Sequence, residues 1–215
     1  MQLEIGYLYH IFNQGNNHRK IFYKQENYLF FLKKIKENIT PYADILAWCL
    51  MPNHFHLMIF INKSEIYIEQ KNDDESLEFQ KIADKQNKKS KLTLNDSIGI
   101  LLRSYTRAIN KQEKSTGSLF RAHTKAECLN CPNGITPSFI NASITEIKVS
   151  DPEKEYPRIC FEYIHQNPVK SNLVKHQPDW EFSSARDYEG LRNGKLVNKE
   201  LALEYFGLGT KKLIR

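Results

Sequence analysis

A chain of 215 residues can bury one sizeable core, and nothing in it demands two independent domains. Lysine and arginine outnumber aspartate and glutamate by 31 to 25, and the resulting charge of +6 suits a polyanionic partner as well as it suits a plain solvated surface. No apolar run approaches the ~20 residues that span a bilayer, and Met1-Gln2-Leu3-Glu4-Ile5 lacks a basic-then-apolar layout, so a cytoplasmic protein with no membrane partner is expected.

In chain order, residues 7–13 alternate aromatic and aliphatic side chains and predict a first strand, ended by the turn cluster Asn13-Gln14-Gly15-Asn16-Asn17. Tyr28, Leu29, Phe31, Leu32, Ile35 and Ile39 recur at helical spacing over 26–39, and Pro41 stops that helix. Strands over 43–51 and 54–62 follow, joined by the tight Pro52-Asn53 turn. Both are apolar on each face and so belong in the middle of a sheet. Residues 63–91 turn polar and charged and read as an exposed insertion. A second amphipathic helix is predicted over 95–114, capped near Asn95 or Asp96 and burying Ile98, Leu101, Leu102, Tyr105 and Ile109, with a fourth strand over 118–128. Strand-helix-strand-strand-helix-strand is the ferredoxin-like α+β pattern, an antiparallel sheet with two helices on one face. The stretch 132–150 has no regular pattern.

Four cysteines, Cys49, Cys128, Cys131 and Cys160, are expected to be reduced in the cytoplasm. Cys128 and Cys131 form a lone Cys-X-X-Cys that could be half a zinc knuckle with His123 or Cys160. No second pair follows at ligand spacing, so an ordinary loop is the reading.

Two short motifs carry chemistry. In Met51-Pro52-Asn53-His54-Phe55-His56-Leu57, strand alternation puts His54 and His56 on one face and Phe55, Leu57 and Ile59 on the other, which supplies half of a divalent-metal site. By itself this pattern is shared with histidines that merely satisfy backbone partners. In Tyr163-Ile164-His165-Gln166-Asn167-Pro168-Val169, a helix from about Pro157 would project Tyr163 and Asn167 from the same face, with Pro168 putting the pair at or just past its C-terminal end. His165 would point away from Tyr163, as a surface or structural residue. His10, His18, His123 and His176 have no companion at ligand spacing. Tyr105 reads as core, and Tyr156, Tyr188 and Tyr205 lack a matching polar partner four residues on.

Together the motifs resemble the single-tyrosine HUH (His-hydrophobe-His) transposases, and within them the REP-associated tyrosine transposases. The resemblance runs in order through 9–17, 49–57, Gly117-Ser118-Leu119-Phe120, 163–169 and 180–188. It implies one domain over 1–215, with a core at about 5–175, a polar insertion at 63–92, a C-terminal extension at 176–215 and a catalytic-tyrosine helix across the open sheet face. It implies that Tyr163 is the nucleophile, that His54 and His56 are joined by Asn167 as a third metal ligand, and that single-stranded DNA is nicked and rejoined through a 5′-phosphotyrosyl link. Mg²⁺ or Mn²⁺ would serve, although two histidines alone would also accept Zn²⁺ or Ni²⁺. A single-stranded or hairpin DNA partner and a monomer, in preference to a homodimer, are likewise implied.

Three basic sets are candidate DNA contacts: Asn16, Asn17, His18, Arg19 and Lys20 in a flexible turn; Arg103, Arg107 and Lys111 along one helix face; and Arg121 and Lys125 on the fourth strand. The competing class is a non-catalytic single-stranded nucleic-acid binder, with Tyr7, Tyr9 and Phe60 stacking bases. A stacking platform has no need of the paired histidines or the tyrosine-asparagine pair.

Overall fold

Period-two alternation in two central strands sets the architecture. The computed structural model describes residues 2–68, 90–132, 136–141 and 150–206. In chain order the elements are β1 (Leu8–Gln14), α1 (Gln25–Asn38), β2 (Ala43–Met51), β3 (His54–Ile61), β4 (Glu65–Ile68), β5 (Ser90–Thr93), α2 (Leu94–Gln112), β6 (Lys125–Cys128), α3 (Ser138–Asn141), α4 (Pro152–Lys170), α5 (Ala185–Tyr188) and α6 (Lys199–Phe206). The main sheet is antiparallel with order β2-β3-β1-β6, the ferredoxin-like arrangement expected, and β1 meets β3 with Leu8 opposite Phe60 and Gln14 opposite His54. Among the described residues no helix is long and apolar enough to cross a membrane.

The first face of the sheet presents Tyr9, Ile11, Phe55, Leu57 and Ile59 to Tyr28, Phe31 and Ile35 of α1 and to Ile98, Leu101, Tyr105 and Ile109 of α2. The Tyr105 hydroxyl donates to the Ile21 carbonyl at 2.7 Å, so its burial leaves no unmet polar group. The cap of α2 lies earlier than expected. Thr93 accepts from the Asp96 N–H while the Asp96 carboxylate accepts from the Thr93 N–H, a capping box that outcompetes Asn95 and makes Asp96 its third residue.

The second face is covered by α4, which sets Cys160, Phe161 and Ile164 over Leu8, Leu46, Cys49, Met51 and Met58, with Ala202 and Phe206 of α6 beside them. A bulge between Ile45 and Ala47 rephases β2, sending both Leu46 and Ala47 to this face. α4 begins at Pro152 and runs through Pro157 and Pro168. Asn167 therefore lies inside the helix and not past its end. Pro168 removes one N–H near the last turn, which closes by Ser171 N–H to Asn167 O at 3.0 Å and Leu173 N–H to Pro168 O at 2.9 Å.

Three further expectations are corrected. β2 is an edge strand of the sheet and not a central one; it stays apolar because the C-terminal extension pairs along its edge, through Leu50 N–H to Phe182 O, Ser184 N–H to Trp48 O and Asn198 N–H to Ile45 O. The fourth strand shrinks to β6, because Asn13 donates its side-chain amide to Arg121 O at 3.2 Å and to Thr124 Oγ1 at 2.9 Å where ladder pairing would otherwise continue. Cys128 and Cys131 are joined in a disulfide, their Cα atoms 5.8 Å apart, so the reduced Cys-X-X-Cys loop is not what is seen; Cys49 and Cys160 are free and buried. Of the polar insertion, β4 and β5 pair as a two-stranded ribbon, and residues 69–89 lie outside the described residues.

The extension is locked by charge as well as by backbone. Asp187, 2% exposed at its side chain, takes Arg192 at 2.9 and 2.6 Å, and the same guanidinium donates to the carbonyls of Glu181 and Ser183 while lying over the Trp48 ring. His165 is buried, against the surface alternative, with Nε2 2.7 Å from the Ser184 hydroxyl that bridges to β2.

Candidate active site

β3 leaves the Pro52-Asn53 turn at His54, and strand alternation returns His56 to the same face. β1 lines that face with His10 and Phe12, and α4 brings Tyr163 down onto it. The Tyr163 ring stands edge-on to His56 at 5.5 Å and to His10 at 5.9 Å, and stacks on Phe139 of α3 at 5.4 Å. Lys170 Nζ lies 5.6 Å from the centroid of the same ring. A cavity of about 230 Å³ opens between Phe12, Asn13, Gln14, His54, His56 and Tyr163.

The ring nitrogens decide what this cavity can hold. Asn53 Oδ1, an acceptor, meets His54 Nδ1 at 2.6 Å, so that nitrogen carries the proton and Nε2 keeps a lone pair. His56 is 4% exposed and its Nε2 is buried without a hydrogen-bond partner among the described residues. Burial drives the His54 pKa down to about 4, against a partial rise from the Asn167 amide; burial takes His56 well below its ordinary range, with the His10 and His54 rings adding to the drop. Neutral imidazole is the ligating form. Asn167 donates its amide N–H to the Tyr163 carbonyl at 2.8 Å, leaving Oδ1 as its candidate ligating atom. Burial raises the Tyr163 hydroxyl above its ordinary value and the Asn167 side chain opposes that rise, so one amide acts on both the histidine and the tyrosine. Two neutral imidazoles, an amide and a phenol converge here, and the donor types fit a divalent cation.

The structure thus brings His54, His56, Tyr163 and Asn167 together from β3 and α4. The candidate DNA contacts divide. Arg103, Arg107 and Arg121 line a groove of about 750 Å³ with His123 and Asn110, and Asn13 belongs to both this groove and the smaller cavity. Lys111 is exposed but outside the groove lining, and Lys125 projects to the other face, over Phe12. Arg121 is not on a strand. The turn after β1 is tied down by contacts: Asn16 donates to Ser118 O at 3.1 Å, His18 bridges Gln14 and Arg121, and a Cβ at Gly15 would run into the Arg19 carbonyl. Asn17 and Lys20 are exposed there and Arg19 is half-buried.

His10, without a companion at ligand spacing in the sequence, is 1% exposed with Nε2 2.9 Å from His56 Nδ1, and Glu127 and Phe139 lie against it; Lys170 stands over the Tyr163 ring. Alternation already gives His10 the same face as Phe12; its neighbour across the sheet is set by a register 46 residues away. The aromatic platform of the competing reading is split: Tyr7 and Tyr9 pack into the helix-covered core, while Phe60 lies on the opposite face near Tyr205.

No protein-family model and no curated protein matches the chain. Among solved structures it is similar to one described as a REP-associated tyrosine transposase bound to a REP hairpin, with a TM-score of 0.50 and 18% identity over 89% of this chain and 86% of that one. The likeness is one of fold.

Proposed function

We propose that the protein cleaves and rejoins single-stranded DNA beside hairpin sequences, as a transposase or a domesticated relative, through a 5′-phosphotyrosine link on Tyr163. The observation that carries this reading is buried His56, its Nε2 without a hydrogen-bond partner among the described residues, lying beside His54 and the Tyr163 ring while the Asn167 amide acts on His54. The oxygen of Tyr163 attacks the scissile phosphorus, the bond from phosphorus to the 3′-oxygen breaks, and that oxygen leaves with a proton as a 3′-hydroxyl. Reversal by the same or another 3′-hydroxyl rejoins the strand, with no nucleotide consumed. A phenol raised above its ordinary pKa is a poor nucleophile unless its developing charge is stabilised.

His54, His56 and Asn167 would hold Mg²⁺ or Mn²⁺, which when bound supplies Lewis-acid polarisation of a phosphate oxygen. Asn167 orients the tyrosine end of α4, and Lys170 adds a cation at the nucleophile. Arg103, Arg107 and Arg121 carry the phosphates of the approaching strand, whose path into the site passes Asn13. Asn17, Lys20, Arg19, Lys125 and Lys111 flank that path, with Asn16 shaping the turn. A hairpin substrate is favoured by the DNA named for the similar structure. One chain suffices in this reading, since α4 covers its own sheet.

Incubation with an end-labelled hairpin carrying a 5′ single-stranded extension tests the proposal. Cleavage should require Mg²⁺ or Mn²⁺ and stop on chelation without unfolding the protein. Equal cleavage with and without chelator, or equal binding of duplex, hairpin and scrambled extension, would refute it.

A further inference from the structure

His10 belongs to neither motif, yet it sits between a carboxylate and a candidate ligand. It is directly opposite Glu127 in the β1–β6 ladder, with Nδ1 3.8 Å from Glu127 Oε2 and Nε2 2.9 Å from His56 Nδ1. We propose that Glu127 and His10 are positioning residues that hold His56 as its Nδ1–H tautomer, and so present its Nε2 lone pair to the cation site. This rests on the metal reading above.

A neutral imidazole carries one N–H and one lone pair, and an ionised carboxylate only accepts. The nearest polar group facing His10 Nδ1 is that carboxylate, and the nitrogen has no hydrogen-bond partner among the described residues, so the proton belongs there. His10 Nε2 is then an acceptor, and the 2.9 Å contact requires His56 Nδ1 to donate. His56 Nε2 is left with its lone pair, buried and open. Either assignment leaves one buried N–H without a hydrogen-bond partner among the described residues. The one made here sets it 3.8 Å from a negative charge, whereas the opposite one would turn the His10 Nδ1 lone pair toward that charge and the His56 N–H toward none, which is the costlier choice. Glu127 is itself steadied by the Ser138 N–H at 3.2 Å. A carboxylate acting through one histidine on a ligating one is the kind of outer support that sets ligand direction and affinity.

Nitrogen-15 NMR of the full chain without metal reads the His56 tautomer directly, and Mn²⁺ calorimetry reads its consequence. Wild type should show Nδ1–H. His10→Phe should move His56 toward Nε2–H and weaken Mn²⁺ binding by about 10–100-fold. Glu127→Gln, on a partly exposed edge strand, should shift both readouts in the same direction by less. His10→Gln, whose amide oxygen can still accept from His56 Nδ1, should restore both. Wild-type His56 found as Nε2–H, or tautomer and affinity unchanged in His10→Phe, would overturn the proposal. His54→Ala serves as the control for the underlying reading: if it binds Mn²⁺ as wild type does, the metal site fails, while the tautomer measurement still decides the role of His10.

Discussion

On one face of the sheet, β1 and β3 present Tyr9, Ile11, Phe55, Leu57 and Ile59, and the buried hydroxyls packed with them, Tyr42 and Tyr105, both reach backbone carbonyls. On the other face the same strands present His10, His54 and His56, and two of the ring nitrogens there have no hydrogen-bond partner among the described residues. Trp48 Nε1 is the exception on the first face, and it lies in the ring over which Arg192 stacks. A buried unsatisfied polar atom costs about 1–3 kcal/mol. The first face spends its burial on stability. The second gives some of it up and holds neutral imidazoles around the cavity beneath Tyr163.

Substitutions should separate the faces. The largest effect is expected at the histidines: His54→Ala and His56→Ala should each lower strand cleavage by on the order of 100-fold or more, the double variant should lose little beyond either, and thermal unfolding should barely move. Additive losses would mean that the two do not share a site. On the opposite face, Phe31→Ala should cost about 3–5 kcal/mol in denaturant unfolding, because Phe31 is fully buried between α1 and the sheet, while cleavage by the folded fraction persists.

A smaller effect is expected where α4 meets the C-terminal extension. Burial lowers the His165 pKa from 6.5 to about 3, with Asp187 opposing part of the drop. The unfolded chain therefore binds more protons between those values. The stability this histidine contributes is full above pH 6.5 and is lost as the pH falls toward 3, on the order of a few kcal/mol. His165→Gln should flatten that part of the acid unfolding profile in chelator, and an unchanged profile would relocate the acid sensitivity to the other buried histidines. The smallest effect concerns the groove: Arg103→Ala or Arg121→Ala should each flatten the dependence of log affinity on log salt by about one unit, leaving cleavage of bound DNA intact.

The sequence made the bounds of β1, β2, β3, α1 and α2 legible to within a residue or two, because hydrophobic period marks β1 and the helices and unbroken apolar runs mark β2 and β3, although the edge place of β2 was not. The facing of His54 with His56, and of Tyr163 with Asn167, follows from local period as well. What brings the two pairs together is the packing of Phe161 and Ile164 onto Met58 and Leu46, which no local pattern encodes. His10 was hidden for the same reason, since its partners Glu127 and His56 are chosen by strand register. The extension was opaque because its hold on β2 joins main-chain pairs from Phe182, Ser184 and Asn198 to side-chain bonds from Trp180, Ser184 and Tyr188 that end on β2 main-chain atoms 130 or more residues away, targets that any residue supplies. Asn13 delays the start of β6 by a side-chain bond to Thr124, a substitution for ladder pairing that composition cannot reveal.

The central claim is that Tyr163 attacks DNA phosphorus. Peptide mapping by mass spectrometry, after incubation with a single-stranded hairpin substrate and Mn²⁺, tests it most directly. A 5′-phosphonucleotide adduct on the Tyr163 peptide, absent in Tyr163→Phe while DNA binding is retained, is the predicted result. An adduct on any other residue, or cleavage that persists in Tyr163→Phe, would contradict the account.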